Sequence, residues 1–305
     1  MSAATGNSLK YWSARFAADG GRITDALIAE VAAKPGFTAA THAHIRDTLA
    51  LHGSNPIASR LANDITRMIL CYISLYLDAH DNLTRSAIRD LLSGLGLASP
   101  GRATAILMQL RLYKFIEPDP HQPDRRTRRY IPTQQMKKAF LELMSSGLQA
   151  TALIEPETAA LAQHLTDPLF FRGFTLALGD ATLTMLRNLR GSERDMFADA
   201  TSGYLMLYRL MLGGNEPVYP PRGPMPFARS ALSREFKVSR SHVSRVFDTA
   251  ARRGMVVYSS DRMEITLSET FRSAMARHHG AMFANNIRCM LSALDYVRAM
   301  RPQAA

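Results

Sequence analysis

The stretch Ser239-Arg-Ser-His-Val-Ser-Arg-Val-Phe-Asp-Thr-Ala-Ala-Arg-Arg-Gly-Met-Val-Val-Tyr258 decides the reading of the fold. Ser239 is a natural N-cap, because its hydroxyl can accept from an otherwise unpaired N–H of the first helical turn. Val243, Val246, Phe247 and Ala250 then recur at helical spacing and mark one apolar face. Arg240, Ser241, His242, Ser244 and Arg245 are left on the outward side. Gly254 ends the helix. Met255–Tyr258 and Met263–Ile265 read as strands on either side of Ser259-Ser-Asp261, and Ser268 opens another helix. Upstream, 227–236 reads as a short helix and Lys237-Val238 as a turn. Helix, turn, helix, strand, loop, strand, helix is the order of a winged helix-turn-helix.

An earlier stretch has the same order. Thr84 can cap a helix to about Ser93, and Gly94-Leu-Gly-Leu-Ala98 reads as a turn. Ser99 caps the next helix, with Pro100 at its first position, where a missing N–H costs nothing. Ala103, Ile106, Leu107 and Leu110 face inward; Arg102 and Thr104 face outward, with Gln109 further along. Phe115-Ile116 begins a strand, Arg129-Tyr130-Ile131 returns, and Thr133 caps a helix to about Ala150. Between these strands Arg125, Arg126, Arg128 and Arg129 place four guanidinium groups within five residues, whereas the second loop carries Arg262 alone.

The two stretches belong to a longer repetition. Ile28–Phe37 is echoed by Leu161–Phe170, Ala62-Asn-Asp-Ile-Thr by Ala198-Asp-Ala-Thr-Ser, and Arg85-Ser-Ala-Ile88 by Arg229-Ser-Ala-Leu232, at offsets of 133, 136 and 144 residues. Order is kept and only loop lengths differ, as expected of a duplicated and fused unit. The expected halves are 1–155, with a winged helix at about 62–150, and 156–305, with one at about 198–280. The fold class is mainly α with small β-wings, two tandem winged helix-turn-helix units joined by long helices about a pseudo-two-fold. The flanking helices are expected over Leu9–Ala33 with a break at Gly20-Gly21, Thr38–His52, 57–79, 157–166, 171–190, 193–212, and from Ser268 to about Met300 with an interruption at Gly280. Gly213 to Pro226 reads as a loop.

A chain of 305 residues suits two domains, and 47% hydrophobic residues suit a globular core. A net charge of +11 and a pI near 10.0 favour an anionic partner, nucleic acid ahead of membrane. Cys71 and Cys289 lie in apolar helical patterns and read as buried free thiols of a reducing compartment. The N-terminus lacks a signal-peptide pattern, and the best apolar run, Met68 to Leu77, is ten residues, too short to span a bilayer. A cytoplasmic, nucleoid-associated location is the expectation.

In a helix-turn-helix the second helix enters the major groove and presents polar side chains to base edges. Ser239, Arg240, Ser241, His242, Ser244 and Arg245 suit that role, and Ser99, Arg102 and Thr104 are their poorer counterparts. The basic loop 125–129 and Arg262 suit phosphates or the minor groove. The competing readings are a solvated helix face and a solubilising loop. Each half resembles the MarR family of winged helix regulators, on the Ser-capped helix with Val243-Ser-Arg245, the Gly254-Met-Val-Val entry, the wing and Leu267-Ser268, and in the first copy on 99–116 and Pro132-Thr133. The first wing departs from that family's customary Asp-Arg order, having Asp124-Arg125-Arg126-Thr-Arg-Arg129.

That resemblance implies a sequence-specific, double-stranded DNA-binding transcription regulator, working as a single-chain monomer where relatives pair subunits. It also implies a small aromatic effector. Phe37, His44, Tyr72 and Tyr76 are the candidate crevice of one half, and Phe170, Phe174, Tyr204 and Tyr208 that of the other; ordinary core is the competing reading. Two other functions remain open, a plasmid-type replication initiator and a protein-interaction scaffold built on winged helices without DNA. Apolar or acidic outer faces on the second helices would favour the scaffold. No enzyme is expected: Gly94-Leu-Gly96 follows a helix rather than a strand, and no Gly-x-Ser-x-Gly occurs. No cofactor or metal is expected, since His42/His44 and His278/His279 lack partners at ligand spacing.

Overall fold

Leu9, Trp12 and Phe16 recur every three to four residues and bury one stripe of the first helix, α1 (Asn7–Ala18). Its Trp12 Nε1 donates to the buried Glu155 carboxylate at 2.8 Å, which also accepts from Ser8. The chain, seen in a computed structural model, is described over residues 6–54, 65–122, 129–188, 195–214 and 217–301. It is mainly helical with small antiparallel sheets. In order, α1 is followed by α2 (Asp25–Ala32), α3 (Phe37–Ser54), α4 (Ile65–Ala79), α5 (Arg85–Gly94), α6 (Pro100–Leu112), β1 (Ile116–Pro118) and β2 (Tyr130–Pro132). Then come α7 (Gln134–Ile154), α8 (Thr158–Ala162), a 3-10 turn (Gln163–Thr166), α9 (Pro168–Asn188), α10 (Asp195–Asp199), α11 (Gly203–Leu212) and β3 (Met225–Pro226). The chain closes with α12 (Arg229–Glu235), α13 (Arg240–Arg252), β4 (Val256–Tyr258), β5 (Glu264–Leu267) and α14 (Glu269–Met300).

The chain divides into two compact units. The first comprises Met1–Asp64, Ser146–Ala159 and Gly191–Ile287; the second comprises Ile65–Ser145, Ala160–Arg190 and Arg288–Ala305. Each unit draws on both sides of residue 155, where the sequence repeat places its boundary. In the first unit α3 packs on α11, and in the second α9 packs on α4. The sequence echoes pair α3 with α9 and α4 with α11, and each unit takes one helix from either pair.

Within the first unit α14 runs unbroken through Gly280, correcting the expected interruption. Glycine there serves contact rather than a break: a Cβ would lie 3.0 Å from both Ile28 Cγ2 and the Ile28 carbonyl oxygen of α2. The expected helix at 193–212 is divided into α10 and α11 by Ser202, a buried residue with φ of 56°. The loop expected between Gly213 and Pro226 ends in a strand, β3. It pairs with β5 at Met225↔Ile265 and Pro226↔Glu264, giving a sheet in the order β3-β5-β4.

In the second unit β1 and β2 pair with Ile116 opposite Pro132 and Pro118 opposite Tyr130. A further bridge joins Thr84 to Arg129, adding a minimal third position before α5, as β3 does before α12. Thr84 also caps α5, accepting from Ala87 N at 3.1 Å. The thiols of Cys71 and Cys289 are buried and unbonded to each other, and burial pushes the pKa of both up to about 12.

Candidate nucleic-acid interface

Ser239 Oγ accepts from His242 N at 3.1 Å and starts α13. Val243, Val246, Phe247 and Ala250 are buried, and the Phe247 ring centroid lies 4.9 Å from Phe227 and 5.8 Å from Phe197. This fixed inner face leaves Arg240, Ser241, Arg245 and Arg252 exposed, with Ser244 half-buried. The sequence from Arg229 to Arg262 carries eight basic residues and three acidic ones. Two of those acids are already engaged: Glu235 takes both its oxygens to Arg209, and Asp248 pairs with Arg262. The outer face of α13 therefore presents guanidinium donors with little compensating negative charge.

His242 is not a free outward donor. It is half-buried, and its Nε2 lies 3.0 Å from the Thr201 carbonyl. A carbonyl can only accept, so Nε2 carries the proton, and Nδ1 is left to accept from Arg245 Nη2 at 3.0 Å. The histidine thus ties α13 to the residues before α11 and aims the Arg245 guanidinium. Sequence reading missed this role, because Thr201 is 41 residues away.

Arg262, in the turn between β4 and β5, has φ of 58°. Its guanidinium is 4.2 Å from the Tyr258 ring centroid and pairs with Asp248. Tyr258 donates to the same Asp248 oxygen at 3.1 Å, and burial first, then this bond, pushes its pKa up to about 12. Asp261 accepts from Ser259 Oγ at 2.6 Å and Met263 N at 3.0 Å, which holds its pKa below the usual carboxylate range and shapes the turn. Arg262 is thereby stacked on its own unit, with about half its side chain left to solvent (47%).

The second unit has a similarly capped helix with a different outer surface. Ser99 Oγ accepts from Arg102 N at 3.3 Å and Pro100 occupies the first turn of α6. Ala103, Ile106, Leu107 and Leu110 are buried, each 140 residues before its counterpart in α13. Left-handed residues recur too: Gly96 and Lys237 in the turns before the capped helices, Lys114 and Gly254 after them. Outside, Ser99 and Arg102 are exposed, and Thr104 is half-buried. Thr104 donates to the Pro100 carbonyl at 3.0 Å and stands 3.5 Å from Arg85 Nη2, and the exposed positions further along are Ala105, Met108 and Leu112.

Of the expected basic wing, Arg125, Arg126 and Arg128 lie outside the described residues. Arg129 is inside them and is engaged by carboxylates: Asp81 at 2.8 Å, Asp119 at 3.7 Å and Asp78 at 3.9 Å. Asp81 also takes Arg172 of α9 at 2.8 Å, and these guanidinium contacts, Arg172 foremost, hold its pKa down. Arg129 therefore gathers Asp78, Asp81 and Asp119 of its own unit beside β2.

The aromatic residues regroup. Phe37, His44, Tyr204 and Tyr208 all belong to the first unit, and Tyr72, Tyr76, Phe170 and Phe174 to the second, a grouping that differs from the expected division by sequence half. In the first unit Phe37 packs against Phe283 at 6.0 Å, His44 against Tyr208 at 6.1 Å, and Tyr204 against Tyr208 at 5.9 Å. Crowding strips water from His44 and draws its pKa down to about 4. In the second unit Phe140 bridges Tyr72 (5.6 Å) and Phe174 (6.5 Å), and Phe170 stands 5.9 Å from His164. Tyr76 donates to Asp180 at 2.9 Å. These ring contacts are those of packed core.

Two shallow cavities of about 410 and 390 Å³ lie in the second unit, one along α7 between Gln134 and Ser145, the other between α5 and Arg187. Neither touches the aromatic residues above. Pro168–Arg187 of α9 is long and apolar enough to cross a membrane by length and composition, and half of it is buried within its unit. Among the described residues no cluster of three or more His, Cys, Asp or Glu is arranged to hold a metal ion. Comparison with known proteins gave no matching family model, no related curated protein and no similar solved structure.

Proposed function

We propose that the chain is a sequence-specific, double-stranded DNA-binding transcription regulator with two winged helix-turn-helix heads on one polypeptide. The observation that carries this reading is α13, with its apolar face locked against Phe197 and Phe227 and its outer face bearing Arg240, Ser241, Arg245 and Arg252. A three-stranded sheet in the order β3-β5-β4 follows and precedes it, as a winged helix requires. Shared spacing, caps and left-handed turn residues in α6 and α13 support duplication, as does the division of the paired flanking helices between the units. Affinity would come mainly from Arg and Lys on phosphates, and readout from guanidinium and hydroxyl donors on base edges. The tightly packed aromatic clusters favour core over effector crevice, so effector control forms no part of this proposal.

The protein-interaction reading keeps one supporting observation, the apolar outer face of α6, where Met108 is 48% and Leu112 78% exposed. Titration of the whole chain against labelled duplex DNA separates the two. Retention that weakens steeply with salt supports the regulator; no retention at low salt supports the scaffold.

A further inference from the structure

We infer that, of the two Ser-capped helices, α13 alone reads bases, so that the DNA element this chain selects is a single asymmetric block rather than an inverted repeat. This rests on the DNA-binding reading above. Two heads of common origin would ordinarily be expected to choose two related half-sites, and the register between them allows a residue-by-residue comparison. Ser99 and Ser239 both cap, and the four buried positions of each helix coincide at a spacing of 140 residues. The outward positions occupied by Ser241, Arg245 and Arg252 in α13 are Gly101, Ala105 and Leu112 in α6. Base edges are met by the N-terminal residues of such a helix, and there α6 offers a proline, a glycine and an alanine. None can donate to a base edge, and an alanine methyl can at most meet a thymine methyl.

The polar side chains that α6 retains do not restore readout. Thr104 commits its hydroxyl proton to the Pro100 carbonyl. Gln109 is half-buried and nearly three turns from the cap. Arg102 is exposed, but it aligns with His242, at the edge of the helix that in α13 faces Thr201 rather than with Arg245. At this edge of the helix a guanidinium suits a phosphate, which carries no sequence information. In α13, by contrast, Arg245 is held by His242, and Arg240 stands exposed in the first turn. Arg pairs best with guanine O6 and N7, so the selected block contains guanine.

Selection of bound fragments from a random duplex library by the full chain tests this. One guanine-containing block, with no inverted copy about 10 base pairs away, is the expected result; an inverted repeat with both halves conserved overturns the inference. Arg245→Ala, on an exposed position that leaves the core intact, should lower preference for that block over random DNA by about 10- to 100-fold. The paired variant Arg102→Ala with Gln109→Ala should return the same block as the wild type. Loss of conserved positions in that variant would again overturn the asymmetric readout. Failure of the wild-type chain to retain any duplex would remove the DNA reading itself, a result distinct from a symmetric motif.

Discussion

Arg245 donates from its guanidinium to Nδ1 of His242 at 3.0 Å, and this places the guanidinium and its support on successive turns of α13. The opposite ring nitrogen is held by the Thr201 carbonyl, so the imidazole cannot swing away without losing both bonds. A guanidinium held in this way loses less side-chain freedom on forming two parallel bonds to one base.

His242→Ala should therefore weaken selective binding more than general binding. We expect a loss of about 1 kcal/mol in the preference for the selected sequence, with affinity for random duplex nearly unchanged. Competition titrations with specific and random DNA at one salt concentration give both numbers. Equal losses on the two DNAs would show that His242 supports α13 as a whole rather than Arg245.

Arg129 and its neighbours in the wing should behave in opposite ways. Arg129→Ala leaves Asp119 and the half-buried Asp78 without their shared cation, and should lower stability by about 1–2 kcal/mol. The salt dependence of DNA binding should not change. Replacing Arg125, Arg126 and Arg128 together by Ala should flatten the slope of log K against log salt, by about 0.9 for each phosphate contact removed. Thermal melts and salt titrations of both variants check this; the reverse pattern would refute the division of roles.

Acid should destabilise the chain before its carboxylates titrate. Crowding holds the folded His44 pKa at about 4, against an ordinary 6.5. The unfolded chain therefore binds the extra proton first, and the contribution of neutral His44, fully present above pH 6.5, is lost as pH falls through the window down to about 4. Loss of water also lowers the pKa of His42 and His52, which act with the same sign. A decrease on the order of 3 kcal/mol across that window is expected from His44. His44→Asn should show a smaller decrease in calorimetric melts between pH 7 and 4.5, and an equal decrease would assign the effect elsewhere.

Gly280→Val should disrupt the approach of α14 to α2. Its first added carbon would meet Ile28 at 3.0 Å, partly against backbone. The cost should be about 1–3 kcal/mol, as for other overpacked cores. A melting temperature equal to that of the wild type would mean that the helices can separate freely.

How far these features could be read from sequence follows from their range. The caps Ser99, Ser239 and Thr84 act within three residues, and the buried faces of α6 and α13 follow from helical spacing. Those parts were legible. The strand Met225–Pro226 was not, because two residues have no period and its identity lies in pairing with Ile265 and Glu264. The grouping of the aromatic residues was not legible for a related reason: periodicity marks an apolar face on α3 or α9 without naming what covers it. Arg129 and Arg262 read as free cations because their carboxylate partners are brought near only by the fold, Asp81 across 48 residues and Asp248 across 14. The exposed Met108 and Leu112 were visible as residues, but their outward direction gained meaning only in register with Asp248 and Arg252.

The most direct test of the central claim is an anisotropy titration of labelled duplex DNA with the intact chain and with the Arg240→Ala, Arg245→Ala pair, each over a range of salt. The account predicts wild-type binding that falls steeply with salt and, once a preferred sequence is in hand, a loss of preference for it in the variant without loss of the folded state. Undiminished preference in the variant, or no wild-type binding at low salt, would contradict it.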